Sequence, residues 1–164
     1  MQPAPTSRPI GEVELIRIRA VADYQFGAGC GEELFPDGVK AVKSRKTGKV
    51  KGIYLGNDLL ATLKPSDGLL AMSTAGAIRL ANVIPPPRYR VAVIDDVVEF
   101  IKEGRNLFAK HVMECDPDIR PGEEVIVTDS KGKVIAVGRA ALTGEEMKRF
   151  KIGQAVKIRR GEED

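Results

Sequence analysis

The chain has 164 residues, 43% of them apolar and 30% charged, which suits one ordinary domain or two small ones with modest cores. Tryptophan is absent and aromatics make up only 5%, so the core must be aliphatic. The net charge of +3 selects no partner by itself and excludes a strongly basic or acidic tail protein.

Charge distribution says more than the total. Basic residues outnumber acidic ones by three from Met1 to Pro87, and the two signs balance from Arg88 onward. Residues 1–8 are polar and Pro-rich, without the apolar stretch of a signal peptide, and are expected as a disordered tail. No apolar run approaches the roughly 18 residues of a membrane helix, so a cytoplasmic protein is expected.

The spacing of Val13, Ile16, Ala20 and Tyr24 predicts a helix from Pro9 to Tyr24 with those four on its buried face, capped by Ser7. A short helix at Glu32–Leu34 follows the glycines at 27, 29 and 31. Strands are expected at 39–44 and 49–55 around the turn Arg45-Lys46-Thr47-Gly48, and at 59–63 and 69–72 around Pro65-Ser66-Asp67-Gly68. Ser73 or Thr74 caps a helix ending near Asn82. Pro85-Pro86-Pro87 can neither continue a helix nor pair in a central strand, and it is expected as a stiff connector.

Beyond it, strands are expected at 89–94, 107–113, 124–128, 134–139 and 154–160. One helix, capped by Asp95 or Asp96, runs to Lys102. Another, from Thr143 to Phe150, has Glu146 at the reciprocal capping position. The expected fold class is α+β: a small mixed α/β domain over residues 9–84, then a small β barrel with two short helices over 88–161.

The sharpest cluster is basic. Lys40, Lys43, Arg45, Lys46, Lys49 and Lys51 fall within a dozen residues with no acid among them. On paired strands these charges repel one another, and a phosphate backbone would relieve that repulsion. A solubilising edge hairpin is the competing reading, since edge lysines deter aggregation. Gly104-Arg105-Asn106-Leu107-Phe108-Ala109-Lys110 joins a helix end to a strand and offers donors, although helix C-caps have the same composition. Lys157, Arg159 and Arg160 end the last strand, and since Glu162, Glu163 and Asp164 follow at once, spacing alone favours a solvated charged tail. Gly27-Ala28-Gly29-Cys30-Gly31 lacks the preceding strand and the Lys-Ser/Thr of a phosphate loop. Cys30, Cys115 and the lone His111 show no metal-ligand or nucleophile-base spacing, so no cofactor is expected, and the cysteines are expected as buried thiols.

Residues 104–110, Asp116-Pro117-Asp118-Ile119-Arg120-Pro121-Gly122-Glu123-Glu124-Val125 and Val137-Gly138-Arg139, in this order, closely resemble a PUA domain, an RNA-binding pseudobarrel. Ala22-Asp23-Tyr24-Gln25-Phe26-Gly27, Ser44-Arg45-Lys46-Thr47-Gly48 and Asp67-Gly68-Leu69 resemble the domain that precedes PUA in archaeal tRNA-guanine transglycosylases, and Met147 within Thr143–Met147 fits the same subgroup. The resemblance implies a PUA-type pseudobarrel that grips the acceptor stem and 3′ end of tRNA. Its RNA face would hold Gly104, Arg105, Asn106, Ala109, Lys110 and Arg139, with the strand carrying Lys157, Arg159 and Arg160. The family's catalytic barrel, with its aspartate nucleophile and zinc site, has no counterpart in these residues. The resemblance therefore implies a split enzyme of which this chain is the non-catalytic tRNA-binding part, partnered by a separate catalytic chain. A free-standing RNA-binding module for rRNA or ribosome-associated maturation is the alternative. An enzyme using Cys30 or Cys115 is a third, disfavoured by the lack of a neighbouring base.

Overall fold

A computed structural model describes residues 7–162 and divides the chain into two compact units, Met1–Ile84 and Pro85–Asp164. In the first unit the chain enters as a two-residue strand, β1 (Arg8–Pro9), and turns into α1 (Glu12–Phe26) and α2 (Cys30–Leu34). Four further strands follow, β2 (Lys40–Lys43), β3 (Val50–Leu55), β4 (Asp58–Leu63) and β5 (Leu70–Met72), then α3 (Thr74–Ala81). They form one antiparallel sheet in the order β1-β2-β3-β4-β5.

Two details depart from the sequence expectation. Arg8, placed in the tail, pairs with Ala41 at the sheet edge, while Pro9 pairs with Lys40. Residues 1–6 of the expected tail lie outside the described residues. The face of α1 is also reversed: Ile18, Ala22 and Phe26 are buried, whereas Val13 is 63% and Tyr24 85% exposed, with Ile16 on the same outer side. Ser7 does not cap this helix; Gly11 is its first flanking residue and provides no side-chain cap.

The helix is pinned to the sheet by Gln25, whose amide donates to the Leu70 carbonyl at 2.9 Å and accepts the Leu70 N–H at 2.8 Å. Glycine permits two close approaches. A Cβ at Gly31 would lie 2.3 Å from the Arg19 carbonyl oxygen of α1, and one at Gly76 would lie 2.1 Å from the Leu60 carbonyl oxygen of β4. Ser73 caps α3 as expected, its hydroxyl accepting from the Gly76 N–H at 3.1 Å. Leu34, Phe35, Ile53, Leu60, Leu70 and Leu80 fill the core between helices and sheet.

The second unit contains β6 (Arg90–Val93), α4 (Val98–Lys102), β7 (Leu107–Phe108), β8 (Val112–Cys115), β9 (Glu124–Thr128), β10 (Val134–Ala140), α5 (Gly144–Arg149) and β11 (Gln154–Gly161). The six-stranded sheet runs β7-β11-β10-β9-β6-β8 and curls into a nearly closed barrel, its two end strands β7 and β8 being consecutive in the chain. The β6–β9 pair is its parallel step; the other pairings are antiparallel. Val91, Val125, Val127, Ile135, Val156 and Met147 are among the side chains that fill it.

The strand expected over 107–113 is split in two by a tight helical turn at Ala109–His111. Asp95 and Asp96 do not cap α4. They lie in a single 3-10 turn that leads into it, with no side-chain cap bond. The capping box of α5 is complete: the Glu146 N–H donates to the Thr143 hydroxyl at 3.1 Å and the Thr143 N–H to the Glu146 carboxylate at 3.0 Å.

Candidate nucleic-acid interface

In the first unit the β2–β3 hairpin is fixed by its own backbone. Ser44 N–H donates to the Lys49 carbonyl and Gly48 N–H to the Ser44 carbonyl, both at 2.8 Å, and Gly48 takes the left-handed φ of 70° that closes the turn. The Ser44 hydroxyl accepts from the Lys46 and Thr47 N–H groups at 3.3 and 3.4 Å. Lys40, Lys43, Arg45, Lys46, Lys49 and Lys51 are all exposed. Lys43 bonds Glu14 of α1 at 2.8 Å. Among the described residues the other five have no carboxylate within 4.0 Å. β2 is not the outermost strand, because β1 covers it at Ala41 and Lys40, which weakens the edge-protection reading.

The turns of the β2–β3 and β4–β5 hairpins lie at one end of this sheet, and α1 passes beside them. The groove so formed encloses about 890 Å³. Arg17 and Lys64 line it together with Lys43, Lys49 and Lys51, over a floor that includes Ile18, Val21, Val50 and Leu63. Sequence reasoning missed Arg17 and Lys64. They lie far from the basic hairpin in sequence and reach it only through the packing of α1 and the order of the strands.

In the second unit Gly104 ends α4 with φ of 92°, and the chain then runs into β7. Arg105 stands out from the surface, 68% exposed, 5.1 Å above the Phe100 ring and 3.8 Å from Glu103. Asn106 has a structural bond: its side-chain oxygen accepts the Ile158 N–H at 2.9 Å and ties the loop to β11. Ala109 is buried, and its N–H donates to the Gly153 carbonyl at 2.9 Å. Lys110 is exposed.

On the neighbouring strands Arg139 of β10 stands directly opposite Lys157 of β11, both exposed. Like charges opposed in this way repel. On the other side of Arg139 in register lies Glu124, but both its carboxylate oxygens bind Arg159, at 2.7 and 2.5 Å. Arg159 is therefore held at the surface by a buried carboxylate, while Arg139, Lys157 and Arg160 have no carboxylate within 4.0 Å among the described residues. A bulge at Val137/Gly138 sets this register, and a Cβ at Gly138 would lie 2.3 Å from the Lys157 carbonyl oxygen. Phe108, 47% exposed on β7, pairs in register with Gln154 of β11 and adds an aromatic surface that charge counting missed.

Cys30 and Cys115 are buried thiols, neither of them in a disulfide; the Cys115 thiol donates to the Gly144 carbonyl at 3.2 Å, and burial pushes its pKa up, away from the reactive thiolate. Among the described residues no group of three or more His, Cys, Asp or Glu side chains could hold a metal ion, and no helix is long and apolar enough to cross a membrane.

Two family models match the chain side by side. Residues 16–87 match the patch-forming domain C2 of tRNA-guanine transglycosylase, and residues 89–161 match the PUA domain. The tRNA-guanine(15) transglycosylase of Methanothermobacter thermautotrophicus is 45% identical over 157 residues, covering 93% of this chain and 24% of that protein. The protein of the same name from Thermococcus kodakarensis is 46% identical over 146 residues, covering 89% and 25%. The chain thus spans about a quarter of the length of these curated relatives. Among solved structures, a conserved PUA domain protein from Thermoplasma acidophilum is 26% identical with a TM-score of 0.72, covering 97% of this chain and 95% of that one. A hypothetical protein from Pyrococcus horikoshii shares the fold, with a TM-score of 0.75 at 21% identity and coverage of 97% and 96%.

Proposed function

We propose that this chain, a PUA-domain protein that carries the patch-forming C2 domain of tRNA-guanine transglycosylase ahead of its PUA half, is a non-catalytic tRNA-binding subunit or accessory factor for base exchange in archaeal tRNA. The observation that carries the reading is the unneutralised pair Arg139 and Lys157 on the barrel face, beside the loop that presents Arg105 and Lys110. Two cations locked opposite each other on adjacent strands gain nothing from folding. A phosphate placed over them removes their repulsion and releases counterions. In this reading the PUA half holds the acceptor stem and 3′ end, and the basic hairpin of the first unit touches a second segment, closer to the D-arm.

Holding the substrate at a distance from the reacting base lowers the entropic barrier for chemistry performed elsewhere. That chemistry belongs to a separate catalytic transglycosylase chain acting with this one in the cytoplasm. Co-purification from native cells tests the partnership. Tagged protein should bring down tRNA together with a transglycosylase catalytic chain; recovery of rRNA or ribosomal particles instead would contradict it.

A free-standing role in rRNA or ribosome-associated maturation is the second reading. The Thermoplasma acidophilum PUA domain protein, matched over 95% of its own length by this chain, supports only the free-standing part of that reading and names no RNA. Crosslinking in native cells followed by sequencing of the bound RNA separates the two.

A further inference from the structure

The geometry points to the groove of the first unit as a receptor for a single unstacked nucleotide of the bound RNA, its phosphate on the cationic rim and its base on the aliphatic floor. This rests on the RNA-binding reading above and adds to it a discrete subsite. The groove's volume of about 890 Å³ lies within the range of small-molecule sites, about 300–1,000 Å³. It is lined by five cations, Arg17, Lys43, Lys49, Lys51 and Lys64, against one carboxylate, Glu14, which pairs with Lys43; Asp67 pairs with Lys64 at 3.6 Å, and Arg17, Lys49 and Lys51 have no carboxylate within 4.0 Å among the described residues. Its floor is apolar: Ile18 and Val21 from α1 face Val50 and Leu63 from the two hairpins.

Neither half of this lining explains the other. A surface that only neutralises a phosphate backbone needs no aliphatic floor. A floor meant for an apolar protein partner would not be ringed by five cations, three of them without a carboxylate partner among the described residues, each of which loses hydration when covered. A nucleotide carries both complements in one unit, a base with apolar faces and an anionic phosphate. The groove walls also permit close approach. Gly48 and Gly68, one in each turn, have no side chain, and a Cβ built on either would meet nothing within 4 Å. Between them and α1 the Lys43–Glu14 pair joins hairpin to helix at 2.8 Å. Exposed pairs of this kind hold weakly, so an arriving phosphate can take Lys43 from Glu14.

The same nucleotide chemistry could come from an RNA residue or from a free mononucleotide, and the test separates them. The uniformly ¹⁵N-labelled full chain is titrated with AMP, ribose 5-phosphate and inorganic phosphate, and then with a tRNA transcript in the presence of AMP. AMP is expected to shift the amides of Val21, Gly48, Val50 and Gly68. It should bind about fivefold or more tightly than ribose 5-phosphate, because only the base covers the apolar floor. The tRNA should displace it. Arg17→Gln should weaken AMP binding, and Glu14→Gln, which removes the competing carboxylate, should strengthen it. Equal affinity for AMP and ribose 5-phosphate would remove the base from the floor and overturn the subsite while leaving RNA binding intact. If tRNA binds without displacing AMP, the groove takes a free nucleotide and the RNA assignment is overturned. A chain that binds AMP but no tRNA overturns the proposed function instead.

Discussion

Glu124 and Arg159 show why a basic residue on the proposed binding face need not be a binding residue. The Glu124 side chain is 2% exposed, and Arg159 supplies two hydrogen bonds to it. Removing the arginine takes two hydrogen bonds from a buried carboxylate, an effect of about 3–5 kcal/mol for fully buried pairs. Arg159 is one-third exposed, so Arg159→Ala is expected to lower stability by about 2 kcal/mol, read as a lower midpoint in urea denaturation. Arg105 and Lys110 are the opposite case. Both are exposed and lie outside the core, so Arg105→Ala and Lys110→Ala should each weaken tRNA binding by about 1–3 kcal/mol with an unchanged melting temperature. A fall in melting temperature at constant affinity would make them structural. The Cys115 thiol, its pKa raised by burial, also links pH to stability. The folded state keeps the proton above the unfolded thiol's pKa, so this contribution is complete below that value and declines as pH rises toward the folded one. Native protein should accordingly resist alkylation at Cys115, and reactivity should appear only on unfolding, as a mass shift under urea.

Among the elements, the hairpins and the caps of α3 and α5 were legible in the sequence because their signals are local, whereas Ser7 and the Asp95–Asp96 pair, equally local candidates, cap nothing. Ser44–Lys49, Ser73 and the Thr143–Glu146 box each act within a few residues. The orientation of α1 was not legible. Its apolar residues surround the helix, so Val13, Ile16 and Tyr24 fit a helical period as well as Ile18, Ala22 and Phe26 do. Only the sheet and α2 decide which set is buried. The 3-10 turn that splits the strand expected over 107–113 was equally hidden. Its neighbourhood is held by Asn106 reaching Ile158, 52 residues away. The contact of α3 with β4 gives a direct test. Gly76→Ala places a methyl 2.1 Å from the Leu60 carbonyl and should destabilise by about 2–3 kcal/mol. Gly11→Ala, where φ is −69° and the nearest atom is 3.7 Å away, should change stability by less than about 0.5 kcal/mol. Both are read from the same denaturation curves.

For the whole molecule, net charge conceals the charge pattern. A total of +3 divides into a balanced second half and a basic first half, and neither half reveals that cations gather at one groove and one barrel face. Two separate cationic surfaces predict two protected zones on tRNA, one at the acceptor end and one nearer the D-arm. Replacing Lys43, Arg45, Lys46 and Lys49 with glutamine keeps polarity and removes charge, so footprinting should lose the second zone alone. Loss of both zones with the fold intact would make the hairpin the primary anchor, and no loss would make it a solubilising surface. The central claim, that this chain binds tRNA through its phosphates, is tested most directly by its affinity for a tRNA transcript at increasing potassium chloride. With about five phosphates contacted, log K should fall by roughly 4 for each tenfold rise in salt, and a slope near zero would contradict it.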